Sequence, residues 1–314
     1  MCDLVVGVTR QSDVAKHVSG VLVLNKPLGP SSHDVVAVAR RSLGVSRIGH
    51  TGTLDPQAAG VLPLVVGQAT RLAQYLSRSD KEYEATIRFG IVTDSHDAAG
   101  NVVAESGLVP AAGDVEAALR RFRGTFEQAP PVYSAKMVEG ERSYARARAG
   151  KPIQSAPVRV TVHALEVLSF ETPRMRLRVR CTAGFYVRSL AHDLGTALSV
   201  GAILDGLVRT EAAGFALADA LPFETLVAAP RAELHGHVRP MESLLNEVPC
   251  ARLTAEGVEW AIHGRDLGPR QLLAPLPSIP ALVRLMSPDL RLVGLADPSR
   301  VPGFLHPAVV FSYN

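Results

Sequence analysis

Asp55 is the residue whose surroundings first suggest chemistry. It sits in Gly49-His50-Thr51-Gly52-Thr53-Leu54-Asp55-Pro56-Gln57-Ala58-Ala59-Gly60, a run with neither helical nor alternating periodicity, which reads as irregular backbone. The glycines admit positive φ and close approach, while Pro56 fixes its own φ and pushes Asp55 towards an extended conformation. Apolar Val61-Leu62-Pro63-Leu64-Val65-Val66 predicts a buried strand that anchors this loop. An Asp beside a proline is usually a turn residue. One held stiffly between a glycine-rich loop and an apolar strand is a candidate for catalysis. A carboxylate in a water-poor cleft needs a nearby cation to stay ionised. Arg188 is the candidate, because at the head of a helix an arginine offsets no dipole and wants a partner. Tyr83 opens the apolar face of an alternating strand, where a phenol ring could stack on an extruded base. Each has a plainer reading: Arg188 as surface cation, Tyr83 and Tyr186 as core, His50 as a loop hydrogen-bonder.

The elements around these residues follow from periodicity and punctuation. Gly20–Leu24 predicts a buried strand, and Ser31 with Asp34 a capping box opening a helix. Val35, Val38, Ala39 and Leu43 share one face of that helix, and Gly44 stops it. Arg40, Arg41 and Arg47 at its end suit the dipole, with phosphate contact as the alternative. Leu72, Tyr75 and Leu76 mark a second short helix. In Lys81–Phe89, Tyr83, Ala85, Ile87 and Phe89 alternate with Glu82, Glu84, Thr86 and Arg88. Asp94, Asp97 and Gly100-Asn101 read as a solvated turn. Asp114 is expected to cap a helix with Val115, Ala118, Leu119 and Phe122 inward. Residues 134–152 are short of large aliphatics and rich in cations, with Tyr133 and Tyr144 interleaved. That suits RNA, and an exposed amphipathic helix equally. Val158–Phe170 and Arg174–Cys181 predict paired strands. In the second, Arg174, Arg176, Arg178 and Arg180 alternate with apolar residues, forming either a solvated face or a track for a phosphate backbone. Leu190, Leu194 and Leu198 mark a further helix.

Strands interspersed with short helices, without a strand-helix-strand repeat, indicate an α+β fold on a mixed, mostly antiparallel sheet flanked by helices. With 314 residues, 47% of them hydrophobic, the chain can form one large domain and a small one. The expected division is a loose leader at 1–19, a main domain at 20–221 containing the basic loop at 134–152, a connector at 222–247 and a small β module at 248–314. A net charge of +3 permits a nucleic-acid partner without demanding one. Cys2, Cys181 and Cys250 are widely spaced and odd in number. They suggest neither a disulfide framework nor a zinc site, and a reducing cytoplasmic setting fits. No apolar run reaches membrane-spanning length, and no signal peptide is seen.

Gly49-His50-Thr51-Gly52-Thr53-Leu54-Asp55-Pro56, followed by Ala59-Gly60-Val61-Leu62-Pro63-Leu64 and Gly67-Gln68-Ala69-Thr70-Arg71, closely resembles the signature of the TruB family of tRNA pseudouridine-55 synthases. Lys81-Glu82-Tyr83, Tyr186-Val187-Arg188-Ser189, Pro130-Pro131-Val132-Tyr133-Ser134-Ala135 and Leu24-Asn25-Lys26-Pro27-Leu28-Gly29 also fit. Asn25 stands where Asp is commoner, and Leu207-Val208-Arg209 has one arginine where the family usually has two. The resemblance covers about residues 20–215 well and implies a PUA-like fold for the final module. It implies isomerisation of one uridine in the tRNA T-loop, without a redox cofactor, a metal or a protein partner. Asp55 would act either as nucleophile at C1′ or as base at C2′. Arg188 would keep it charged, and Tyr83 would stack on the base and help remove the C5 proton. His50 would fill the space the base leaves, with Tyr186, Leu207 and Lys26 among the substrate contacts. The basic loop and the arginine strand would grip the stem. The residues by themselves also allow a nucleoside hydrolase, which usually needs a second acid, or a non-catalytic RNA-binding or RNA-folding module.

Overall fold

The computed structural model describes residues 18–133, 137–138, 141–142, 155–276, 278 and 280–311, with backbone only at 137–138 and 141–142. The basic loop expected at 134–152 and most of the leader at 1–19 lie outside the described residues. Strands β1 (Gly20–Lys26), β2 (Ile48–His50), β3 (Ala58–Val66), β4 (Lys81–Phe89), β5 (Gly124–Gln128), β6 (Val158–Glu171), β7 (Arg174–Cys181), β8 (Ala202–Ala212) and β9 (Leu221–Pro222) belong to one mixed sheet. Its order is β9-β1-β3-β8-β4-β7-β6-β5, with β2 paired on β3. Only β1–β9 and β3–β8 among these neighbours run parallel.

Helices α1 (Ser32–Leu43), α2 (Ala112–Leu119) and α3 (Val187–Ala197) pack on one face. Ser31 and Asp34 form the expected capping box, and Gly44 ends α1 in the left-handed region at φ 66°. Asp114 does not cap α2. Ala111 is the cap, and Asp114 lies in the first turn, where its charge still complements the dipole.

The two halves of the sheet differ in cover. In β1 and β3 both faces are buried: Leu22, Leu24, Leu62 and Leu64 face the helices, and Val21, Val23, Val61 and Val65 face the opposite core. That is why these strands read as unbroken apolar runs rather than alternations. The opposite core is completed by Met286, Leu292, Leu295 and Phe311 from the C-terminal module, and the Arg71 guanidinium donates to the Val310 carbonyl across the junction. The module itself is a four-stranded sheet, β10 (Cys250–Arg252), β11 (Val283–Met286), β12 (Leu292–Pro298) and β13 (Leu305–Val310), with its own core. The stretch read as a connector packs on the main sheet: Arg239-Pro240 pairs with β1, and helices at 223–228 and 231–236 lie against α1.

β4 and β7 leave one face open, and the arginine stripe sits there opposite acids. Arg178 meets Glu84 at 2.7 Å, Arg176 meets Glu84 at 3.2 Å and Arg174 meets Asp205 at 2.7 Å. The stripe forms a cross-strand charge ladder with acids on strands distant in sequence. Among the described residues, no helix is long and apolar enough to cross a membrane.

Candidate active site

The Asp55 loop is held chiefly through its backbone. Ser32, at the first turn of α1, is buried; its hydroxyl donates to the Leu54 carbonyl at 2.9 Å and accepts from the Leu54 N–H at 2.8 Å. The Gly29 N–H donates to the Pro56 carbonyl at 2.9 Å, and the Ala58 N–H closes the turn on the Asp55 carbonyl at 3.0 Å. With both flanking residues fixed, the Asp55 side chain is left 46% exposed.

Arg188 meets it there. The guanidinium is 3.0 Å from the Asp55 carboxylate although its own side chain is only 9% exposed. It sits at the second residue of α3, as the sequence expects, and Gln128 secures the entry to that helix. The Gln128 amide donates to the Tyr186 carbonyl at 3.0 Å, and its Oε1 accepts from the Tyr186 N–H at 2.8 Å. Arg188 also donates to the Tyr133 carbonyl at 2.7 Å and the Ser95 carbonyl at 3.3 Å, and lies 3.7 Å from Asp97. This corrects the reading of 94–101 as a merely solvated turn. Asp97 is buried and accepts from the Ser95 hydroxyl at 2.6 Å and the Ala99 N–H at 3.1 Å. Nothing local marks Asp97, because its partner is ninety-odd residues away in sequence.

Asp55 and Arg188 stand between two cavities. One, of about 760 Å³, is lined by Tyr83, Tyr186, Leu207, Lys81 and Arg209; the other, of about 650 Å³, by Ser31, His33, Asp94, Asp97 and Tyr133. The structure thus gathers Asp55, Tyr83, Arg188, Tyr186 and Leu207 around one space. His50 lies apart in β2, edge-on to His33, whose ring lines the second cavity. Lys26 is fully buried and donates to the Pro27 and Pro30 carbonyls at 2.9 and 2.8 Å. It stands behind the cleft as a support for the 27–30 turn, not on its surface, because the expected run reaches the site through Gly29 and Pro56.

The electrostatics of the first cavity are cationic. Burial lowers Lys26 and Lys81 each to about 8, with Asp55 partly opposing this at Lys26. Burial pushes the Tyr83 phenol up, while Arg209 beside it pulls down, so the ring faces the cavity as a neutral phenol at pH 7. Arg209 and Lys81 are the residues that sequence reasoning left without a role here.

This architecture, a mixed sheet with helices on one face and a separate small β module, has solved counterparts. A chain of a Cbf5–Nop10–Gar1 complex aligns with TM-score 0.72 at 26% identity, covering 96% of this chain and 86% of that one. A chain of an H/ACA RNP bound to a substrate RNA containing 2′-deoxyuridine gives TM-score 0.73 at 24% identity, over 97% of this chain and 88% of that one. Residues 40–187 match the TruB family pseudouridylate synthase N-terminal domain, and residues 188–246 the tRNA pseudouridylate synthase B C-terminal domain. The tRNA pseudouridine synthase B of Symbiobacterium thermophilum is 48% identical over 81% of this chain and 85% of the relative. That of Azoarcus sp. is 44% identical over 80% and 83%. The chain belongs to the TruB family of pseudouridylate synthases, and is therefore an isomerase that turns uridine into pseudouridine.

Proposed function

We propose that the substrate is the T-loop uridine at position 55 of tRNA, and that Asp55 is the carboxylate acting at its ribose. The observation that carries this reading is the half-exposed Asp55 carboxylate, held 3.0 Å from Arg188 beside the cavity that Tyr83 backs. A uridine swung out of the loop enters the larger cavity with its ring against Tyr83, Leu207 and Tyr186, and its sugar towards Asp55. Arg188 holds and aims the carboxylate. Uracil then leaves C1′, turns and rejoins through C5, with no change of oxidation state. The relatives' names, tRNA pseudouridine synthase B, support a tRNA substrate. The isolated chain performs the reaction without a protein partner.

Asp55→Asn tests this. With purified chain and one tRNA, pseudouridine scored by carbodiimide primer extension falls on the order of 10⁴-fold or more, while tRNA binding persists. Retained turnover removes Asp55 from its role. Release of free uracil by the unaltered chain indicates a hydrolase instead.

A further inference from the structure

Arg209 is a buried charge that the reading above leaves idle. It is 1% exposed, in β8 directly opposite Tyr83 of β4, and it lines the larger cavity. Its backbone lies against Gly60, where φ is +105° and a Cβ would fall 2.2 Å from the Arg209 carbonyl, so β3 is shaped to let this residue in. Among the described residues, the groups holding it are neutral. Nε donates to the Val61 carbonyl at 2.7 Å and Nη2 to the Gly52 carbonyl at 3.1 Å, and the Tyr83 hydroxyl faces the guanidinium. A buried cation without a carboxylate is costly, and an apolar side chain would pack this strand pair more cheaply. Such a group is retained where something in the cavity needs positive charge. Tyr83 is the one group it reaches that also faces the substrate ring. The charged or titratable groups around the pair are Asp55 and Cys181 towards Tyr83, and Lys26 and Lys81 towards Arg209.

We infer that Arg209 is a positioning residue for Tyr83: it orients the phenol oxygen and stabilises negative charge on it while the C5 proton is removed. This rests on the proposed uridine reaction. After the C1′–N1 bond breaks and the C1′–C5 bond forms, C5 still carries its hydrogen. The Tyr83 phenol first gives its own proton to water, leaving a phenolate held against Arg209. The C5–H bond then breaks with its proton going to that oxygen and its electron pair restoring the ring, while N1 takes a proton from water, so charge and atoms balance. Glycosidic cleavage at Asp55 precedes this and does not require Arg209. Through Gly52 the same guanidinium also ties the base side of the cavity to the Asp55 loop.

The test compares Arg209→Met and Arg209→Lys in the full chain, with tRNA bearing uridine or 5-fluorouridine at the target. The fluoro substrate has no C5 proton to lose. Arg209→Met is expected to slow the uridine substrate about 10- to 100-fold, as for loss of assistance to a proton transfer. Consumption of the fluoro substrate is expected to stay near normal. Arg209→Lys recovers part of the rate, a C5-deuterium isotope effect appears in both variants, and the ascending limb of the uridine pH–rate profile, set by loss of the phenol proton, moves to higher pH. In a Tyr83→Phe background the Arg209→Met effect vanishes. Equal slowing of both substrates, or an effect that persists in full with Tyr83→Phe, makes Arg209 a strand stitch and overturns the inference. If Arg209→Met does not fold, as judged by thermal melting, the Arg209→Lys isotope effect alone decides. Asp55→Asn should abolish consumption of both substrates, so failure of the underlying reading is seen separately.

Discussion

Arg188 and Arg209 line the same cavity on opposite terms. Arg188 is buried but reaches out to a half-exposed carboxylate, and also to Asp97 and two carbonyls. Arg209 is buried completely and is held by two carbonyls and a phenol. In the first pair the charges offset each other, and on the proposed reaction the cation's work is to aim an anion. In the second, no carboxylate among the described residues pairs with the positive charge, so its field falls on whatever enters the cavity. On the proposed reaction the two ends of the cleft serve different steps: a carboxylate at the sugar, and a cationic wall behind the base.

If that contrast holds, the largest loss comes at the mouth. Arg188→Met should cut single-turnover kcat about 10²- to 10³-fold with little change in tRNA affinity, since it removes an aimed charge and not a phosphate contact. A fall in affinity with kcat intact would assign Arg188 to the RNA backbone. Ser32→Ala leaves the Leu54 N–H and carbonyl without their hydroxyl partner. It should destabilise the fold by about 1–3 kcal/mol in urea unfolding. Turnover should fall further than stability explains, because Leu54 precedes the carboxylate; unchanged kcat would show that the loop keeps its shape without the clamp.

The acid side of the second cavity provides a smaller effect with a defined sign. His96 stacks on His192 at 3.8 Å, and burial, with His192 and Arg188 adding to it, lowers its pKa from 6.5 to about 4. Asp97 and Asp94 oppose the shift. The unfolded chain therefore binds more protons between those values, and stability is lost as pH falls from about 6.5 towards 4. His96→Asn, which tolerates the φ of 64° at that position, should flatten this limb of the pH–melting curve. An unchanged limb would place the acid sensitivity elsewhere. The least effect is expected on the open face of the sheet. Arg176→Ala should change stability by less than about 1 kcal/mol, because both partners are solvated. It should also leave the salt dependence of tRNA binding unaltered. A shallower salt slope would restore the phosphate-track reading.

Much of the site was legible because the family-like run is local. The loop, its anchoring strand and the helix head at Arg188 each follow from punctuation within a dozen residues. Tyr83 was legible as a strand position and Leu207 only through the family resemblance, and their convergence was not legible. Asp97 looked like one more turn acid, since a carboxylate's burial is decided by what packs over it. Lys26, expected among the substrate contacts, is buried for the same reason. The arginine stripe was half legible in the same way: alternation shows that four cations share a face, and not that Glu84 and Asp205 stand across from them.

The sequence by itself determined the apolar strands on either side of the Asp55 loop, the alternating strand at Lys81–Phe89, the start of α1, and that a rigid loop presents one aspartate, since φ restriction and hydrophobic period act over a few residues. Only the tertiary structure decided which charges meet. Pairing β4 with β8 and β7, and laying α3 across the cleft, sets distances between residues a hundred or more apart in the chain. Electrostatic interaction depends on those distances and on the exclusion of water, neither of which is written in local spacing.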